Sequence, residues 1–255
     1  MASTDKQKQL QSLLRLSHEL GNPRQPLAIL GEGNASARLG RDRFLVKASG
    51  SRLGILTRHD IVECRADILL ALLDRRRVPD AIIDDALMAS RVAADAKKPS
   101  IEALFHAYLL TLPDTEFVGH THAPNINSIL CSPRAKEFAT KRVFPDEVVC
   151  CGVESVFVPY TDPGLPLARA IREGTQSFLK KRRCGPRVIL LENHGVITLG
   201  GTVEAVLAAM CMAEKAAQIW LGASGLGGPT FMTRGHIRRI AGRPDEEIRR
   251  KALKL

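Results

Sequence analysis

The sequence predicts a mixed α/β protein in which helices are layered on a central sheet. Two observations carry that expectation. Short apolar runs bounded by glycine and proline turns alternate along the chain with longer stretches of helical spacing. In addition, 45% hydrophobic and 25% charged residues in 255 give an ordinary globular composition with enough chain to bury a core. The length suits one large domain or two small ones, and neither an internal repeat nor a low-complexity linker divides it.

The elements follow in order. Residues 6–20, "KQKQLQSLLRLSHEL", place leucines at helical spacing, and "GNP" stops them. "GEGNASARLG" reads as a loop and short strand, "RFLVKA" as a strand and "SGSRLG" as a turn. Residues 67–96 read as two helices separated by "RRRVPD". "PSIEALFHAYLLTL" reads as a helix with Pro99 and Ser100 as start signals. "EFVGHTH" is a strand, and the segment after Pro124 turns helical. "ESVFVPY" is a short strand, "GLPLARAIREGTQSFLKKR" a helix, and "RVILLEN" a buried strand. A sharp turn then leads into "HGVITLG", a further strand. The longest helix begins after Thr202 as N-cap, with Glu204 in its first turn.

Charge and cysteine usage narrow the class. No apolar run approaches the ~20 residues of a membrane helix, and the polar N-terminus reads as no signal peptide. Six cysteines lie scattered without CxxC spacing, which fits reduced thiols and a cytoplasmic location. Of the formal charge of +10, half lies in residues 234–255, where eight Arg/Lys face three acids. Solvated basic faces account for most of this excess. A content of only 4% aromatics and the lack of a binding motif argue against nucleic acid, whereas phosphorylated small molecules suit the charge.

Five segments carry candidate chemistry. In "GHTH", side chains alternate along a strand, so His120 and His122 project to one side and Thr121 to the other. The pair suits a metal, or simply two hydrogen-bonded histidines at a strand end. Upstream, Glu102 and His106 stand four apart on one helix face, which suits either a shared site or an ordinary i,i+4 pair. A short "LPD" turn makes that helix a neighbour of the strand, so Glu102, His106, His120 and His122 could converge. His194 follows a buried strand at a turn, where ligands commonly sit. Three imidazoles with a carboxylate make a well-suited divalent-metal set with open coordination, and Glu102 among apolar neighbours is expected to have a raised pKa. "GEGNAS" and "KASGS" are glycine loops whose backbone N–H groups can approach an anion, although neither is a P-loop.

Taken together, "GNAS", "ASG", "PSIEALFHAYL", "GHTH" and "ENHGVITLG" resemble the class II aldolase/adducin superfamily over about residues 10–225. The resemblance implies a single domain over residues 1–255 with a basic tail at 234–255. Its fold would be a three-layer αβα arrangement with a mainly antiparallel central sheet. It makes His120, His122 and His194 the metal ligands, with zinc first and manganese or cobalt as alternatives. It makes Glu102 the catalytic glutamate, and Gly33, Asn34, Ser49, Gly50 and Ser100 the phosphate-binding positions. Ile101 stands where aldolases have a second serine. Their tyrosine between the HxH and the next strand is replaced by "KRVFPDEVV", where Asp146 falls near an aspartate of the epimerase branch. The implied activity is carbon–carbon lysis through a metal-stabilised enediolate of a small, phosphorylated sugar or hydroxy-carbonyl compound. Epimerisation, sugar-acid phosphate decarboxylation or a non-catalytic adducin-like module are the alternatives. The implied assembly is a C4 homotetramer with the site at a subunit boundary.

Overall fold

A computed structural model describes residues 3–252 and 254. The chain begins with α1 (Ser3–Leu20), whose Leu13, Leu16 and Leu20 are fully buried. β1 (Asn34–Leu39), β2 (Arg43–Lys47) and β3 (Ile61–Arg65) follow as an antiparallel meander. Next come α2 (Ala66–Leu73), α3 (Asp80–Ser90), α4 (Ala103–Leu109), β4 (Phe117–Thr121) and α5 (Pro124–Leu130). α6 (Ala135–Thr140), α7 (Pro145–Cys151), β5 (Val156–Val158) and α8 (Leu165–Arg182) lead to the hairpin β6 (Val188–Leu191) and β7 (Gly195–Gly200). α9 (Val203–Ser224), α10 (Arg234–Ala241) and α11 (Pro244–Ala252) complete the chain. No described helix is long and apolar enough to cross a membrane.

The seven strands form one sheet in the order β3-β2-β1-β4-β7-β6-β5. Every pairing is antiparallel except β5 with β6. Alternation sorts the side chains into two cores. Ala35, Ala37, Phe117 and Val196 pack with residues of α1, α5 and α9 on one face. Phe44, Val46, Val118 and Ile197 pack with residues of α2, α3, α4 and α8 on the other. This is the expected three-layer arrangement with a mainly antiparallel sheet. β4 and β7 are central and buried on both faces, so they read as near-continuous apolar runs.

Three differences from the sequence expectations are physical. "IVECR" forms β3, with Val62 and Cys64 buried and Glu63 facing Lys6 and Arg43, an alternation that the sequence reading passed over. The predicted helix from Pro99 begins only at Ala103. Pro99 and Ser100 instead bridge to β2, through an Ala48–Pro99 pairing and the Ser100 N–H donating to the Lys47 carbonyl at 3.3 Å. The basic segment 234–255 contains two helices, and the Ile237 side chain of α10 is buried.

Candidate metal centre

The centre forms where β4, β7 and the β6–β7 turn end together. His120 is the fourth residue of β4, and His122 lies just beyond its end. Both turn to the α4 face, while Thr121 turns away, its hydroxyl donating to the Met210 Sδ at 3.2 Å. His194 sits in the three-residue turn between β6 and β7, where Asn193 supplies the left-handed conformation (φ 52°) that reverses the chain. This turn lies at the end of central strands rather than at the sheet edge. The three imidazoles form a near-equilateral triangle with ring centroids 5.0, 5.1 and 5.1 Å apart. One nitrogen from each lies within 4.8 Å of the other two. Gly195 is required here, because a Cβ would stand 2.8 Å from His122 Cδ2 and 3.0 Å from His120 Cε1.

The donor set fits a cation. His120 is fully buried and its Nδ1–H donates to the Val196 carbonyl at 3.0 Å, which leaves Nε2 to face the centre. His122 Nε2 lies 3.2 Å from it. His194 Nδ1 is buried without a partner. Burial and the neighbouring His120 hold the His194 imidazole down to about 4, and lower His122 as well, so both are neutral near pH 7 as a metal ligand must be. Burial opposes charge on His120 too, but the Glu102 carboxylate outweighs it and the net shift is upward.

Glu102 closes the set. It precedes α4, with its Oε1 3.3 Å from His120 Nε2 and 3.7 Å from His194 Nε2. Its Oε2 accepts from the Asn34 amide at 3.1 Å. The raised pKa expected for this carboxyl is not what its surroundings produce. Burial does push it up, but the charge and hydrogen bond of His120, the Asn34 amide and His106 together pull it down further. His106 does not join the histidine triangle. It lies fully buried, bonded through Nδ1 to the Ser36 hydroxyl at 2.7 Å and stacked on Phe105 at 4.7 Å.

The five expected anion-binding positions lie on three segments that the fold brings together. Gly33 (φ 73°) and Asn34 open β1, and Asn34 pairs with His120 across the ladder. The Ser49 N–H donates to the Lys98 carbonyl at 2.9 Å, and Gly50 (φ 76°) has open space where a Cβ would be. The Ser100 hydroxyl accepts from the Glu102 N–H at 3.3 Å. Sequence reasoning missed Lys47, the buried cation that ties these loops together. Its Nζ donates to the Gly31 carbonyl at 2.9 Å and the Ser51 carbonyl at 2.7 Å, and burial lowers its pKa. A lysine ending an apolar strand directly before "ASG" was the available signal.

Asp146 stands apart from this cluster within the chain. It lies in the first turn of α7 and pairs with Arg249 of α11 at 2.6 Å. Of the two tyrosines, Tyr108 is buried and shares a hydrogen bond with Thr175 at 2.9 Å. Tyr160 is exposed after β5, its N–H donating to Glu192 Oε2 at 3.0 Å beside the His194 turn.

A three-histidine triangle with an adjoining carboxylate, set on a mainly antiparallel αβα sheet, is an arrangement able to hold a divalent cation. The comparisons with known proteins give its family: the profile described as Class II Aldolase and Adducin N-terminal domain matches residues 11–221, and the chain belongs to that family. It is 30% identical over 205 residues to the uncharacterized oxidoreductase YuxG of Bacillus subtilis (strain 168), covering 77% of this chain but only 27% of that protein. It is also 30% identical over 172 residues to 3-oxo-tetronate 4-phosphate decarboxylase of Haemophilus influenzae, which is 67% of each chain. Among solved structures, the N-terminal class II aldolase domain of a conserved protein from Thermoplasma acidophilum is similar with a TM-score of 0.67 and 28% identity, covering 83% of this chain and 93% of that one.

Proposed function

We propose that this protein is a divalent-metal-dependent carbon–carbon lyase acting on a small, phosphorylated hydroxy-carbonyl compound. The observation that supports this most is the triangle of His120, His122 and His194 with the Glu102 carboxylate against two of its nitrogens. These three imidazoles would hold the ion, for which zinc suits an all-nitrogen set best. A bound divalent cation supplies Lewis-acid charge to a carbonyl whose neighbouring bond breaks. Glu102 carries the proton to or from the carbon that loses its bond. It is fixed for that task by the Asn34 amide on one oxygen and faces the histidines with the other. Gly33, Asn34, Ser49, Gly50 and Ser100 would receive the phosphate, with the Lys47 ammonium behind them as countercharge. Binding energy from that remote phosphate would hold the reacting carbons in register. Asp146, remote within the chain, would act only across a subunit boundary of the C4 homotetramer that the family resemblance implies.

A second reading, decarboxylation, is favoured by the decarboxylase relative and by the lack of a tyrosine in the segment around Phe144. Aldol cleavage must take the proton from the hydroxyl that becomes the aldehyde and then protonate the carbon that loses its bond, whereas decarboxylation releases CO₂ from a carboxylate and leaves only that carbon for Glu102 to protonate. Zinc-loaded protein incubated with phosphorylated ketoses and 3-oxo sugar-acid phosphates separates the two. Aldehyde release supports the lyase in its aldol form, and CO₂ release supports decarboxylation. Turnover of neither class, at a confirmed one zinc per chain, would refute the lyase reading.

A further inference from the structure

The three histidines are not held alike. His120 is fully buried and its Nδ1 is bonded to a backbone carbonyl, while the His194 side chain is only 12% exposed. His122 is the most exposed at 27%, beyond the end of its strand, so packing restrains it least. Its restraint comes from elsewhere. Glu32 Oε2 lies 3.2 Å from His122 Nδ1, on the ring edge opposite the nitrogen that faces His120.

Glu32 is itself fixed. Its Oε1 accepts from the Ile29 N–H at 2.7 Å, and its own N–H donates to the Ile29 carbonyl at 3.2 Å, which closes the turn from both sides. The next residue, Gly33, has φ 73°, and a Cβ there would meet the His120 carbonyl at 2.8 Å, so the turn can lie against the end of β4 only with glycine in that place. Glu32 lies inside "GEGNAS", between the glycines read as an anion loop, and its carboxylate points to a histidine instead.

We infer that Glu32 is a positioning residue for the metal centre: its carboxylate holds His122 as the Nδ1–H tautomer and so keeps Nε2 free for the ion. The inference rests on the metal reading above. Which ring nitrogen carries the proton is set by the hydrogen bond that the other makes, and a carboxylate acceptor also raises the basicity of the ligating nitrogen. Glu32 thereby bonds His122, while Glu102 lies against His120 and His194. Among the described residues, Glu32 is the only carboxylate bonded to a histidine Nδ1 of the triangle.

The test is zinc titration against a competing chelator for wild type, Glu32→Gln and Glu32→Ala, each also in a His122→Ala background. Loss of such an outer partner typically costs about 10–100-fold in metal affinity, so Glu32→Ala should weaken zinc by that factor. Glu32→Gln keeps an acceptor oxygen without the charge and should fall between. In the His122→Ala background the same changes should matter by no more than about twofold, because Glu32 acts only through that ring. Imidazole nitrogen shifts in the zinc-loaded wild type should report Nδ1–H for His122. Wild-type affinity in both Glu32 variants, or an equal loss with His122 already removed, overturns the assignment while the metal reading stands. A wild type that takes up no zinc overturns both.

Discussion

Substituting Gly195 by alanine tests whether the histidine triangle depends on one missing Cβ. The added carbon would stand 2.5 Å from the Thr121 carbonyl oxygen, 2.8 Å from His122 Cδ2 and 3.0 Å from His120 Cε1. Unstrained carbon contacts begin near ~3.5 Å, so the rings or strands must yield by roughly 0.5–1 Å. Gly195 opens β7, whose next residue pairs with Thr121, and it pairs itself with Leu191, so the strands cannot part without breaking two ladders. Overpacking of this kind costs about 1–3 kcal/mol, which in a chain of this size lowers Tm by roughly 2–12 °C. Metal–ligand distances tolerate only about ±0.2 Å, so zinc affinity should fall at least about tenfold. Gly50→Ala is the matched control. It meets open space and suffers only its φ of 76°, about 1–2 kcal/mol of strain, with no loss of zinc. Calorimetric zinc titration and thermal melts read both effects. Gly195→Ala with wild-type affinity and an unchanged melt would refute the packing argument.

Other expectations follow from the same geometry. His106 is buried and held down to about 3, first by desolvation, whereas in the unfolded chain it protonates near 6.5. The unfolded state therefore binds the extra proton below pH 6.5, and this contribution is whole above that value and lost progressively towards pH 3. In chelated protein, urea unfolding should show the stability gap between wild type and His106→Gln narrowing by about 2 kcal/mol from pH 6.5 to pH 5; a constant gap would contradict it. Lys47→Met keeps the strand's length but removes the cation between the glycine loops. Thermal protection by inorganic phosphate should disappear without weakening zinc, and retained protection would exclude Lys47 from the anion site. Chelation of loaded wild type should lower Tm by roughly 5–10 °C, taking ~2.7 kcal/mol of linkage at one hundred times Kd. A melt indifferent to chelator would contradict a bound native-state ion.

Much of the fold was legible because strand and helix periodicities differ and the turns carry glycine or proline. The same-side projection of His120 and His122 followed from strand alternation alone. What failed was local competition. Pro99 and Ser100 look like a helix start, yet their backbone completes a bridge to β2 and delays α4 to Ala103. His106 has the i,i+4 spacing to Glu102, and its N–H donates to the Glu102 carbonyl at 3.1 Å, but its ring turns into the core, bonded to the Ser36 hydroxyl and stacked on Phe105. For Glu102, burial among apolar neighbours argues for a raised pKa, but the charge and hydrogen bond of His120 against it outweigh burial, a balance that spacing alone does not give. Lys47 and Glu32 escaped notice because each acts through a partner distant in sequence, Lys47 on Gly31 and Glu32 on His122.

Zinc binding by purified wild type against His120→Ala and His194→Ala, measured by metal analysis and titration, tests the central claim most directly. One zinc per wild-type chain, and a large loss of affinity in each variant with folding retained, is the predicted result. A wild type that takes up no divalent metal, or variants that bind it as tightly as wild type, would contradict it.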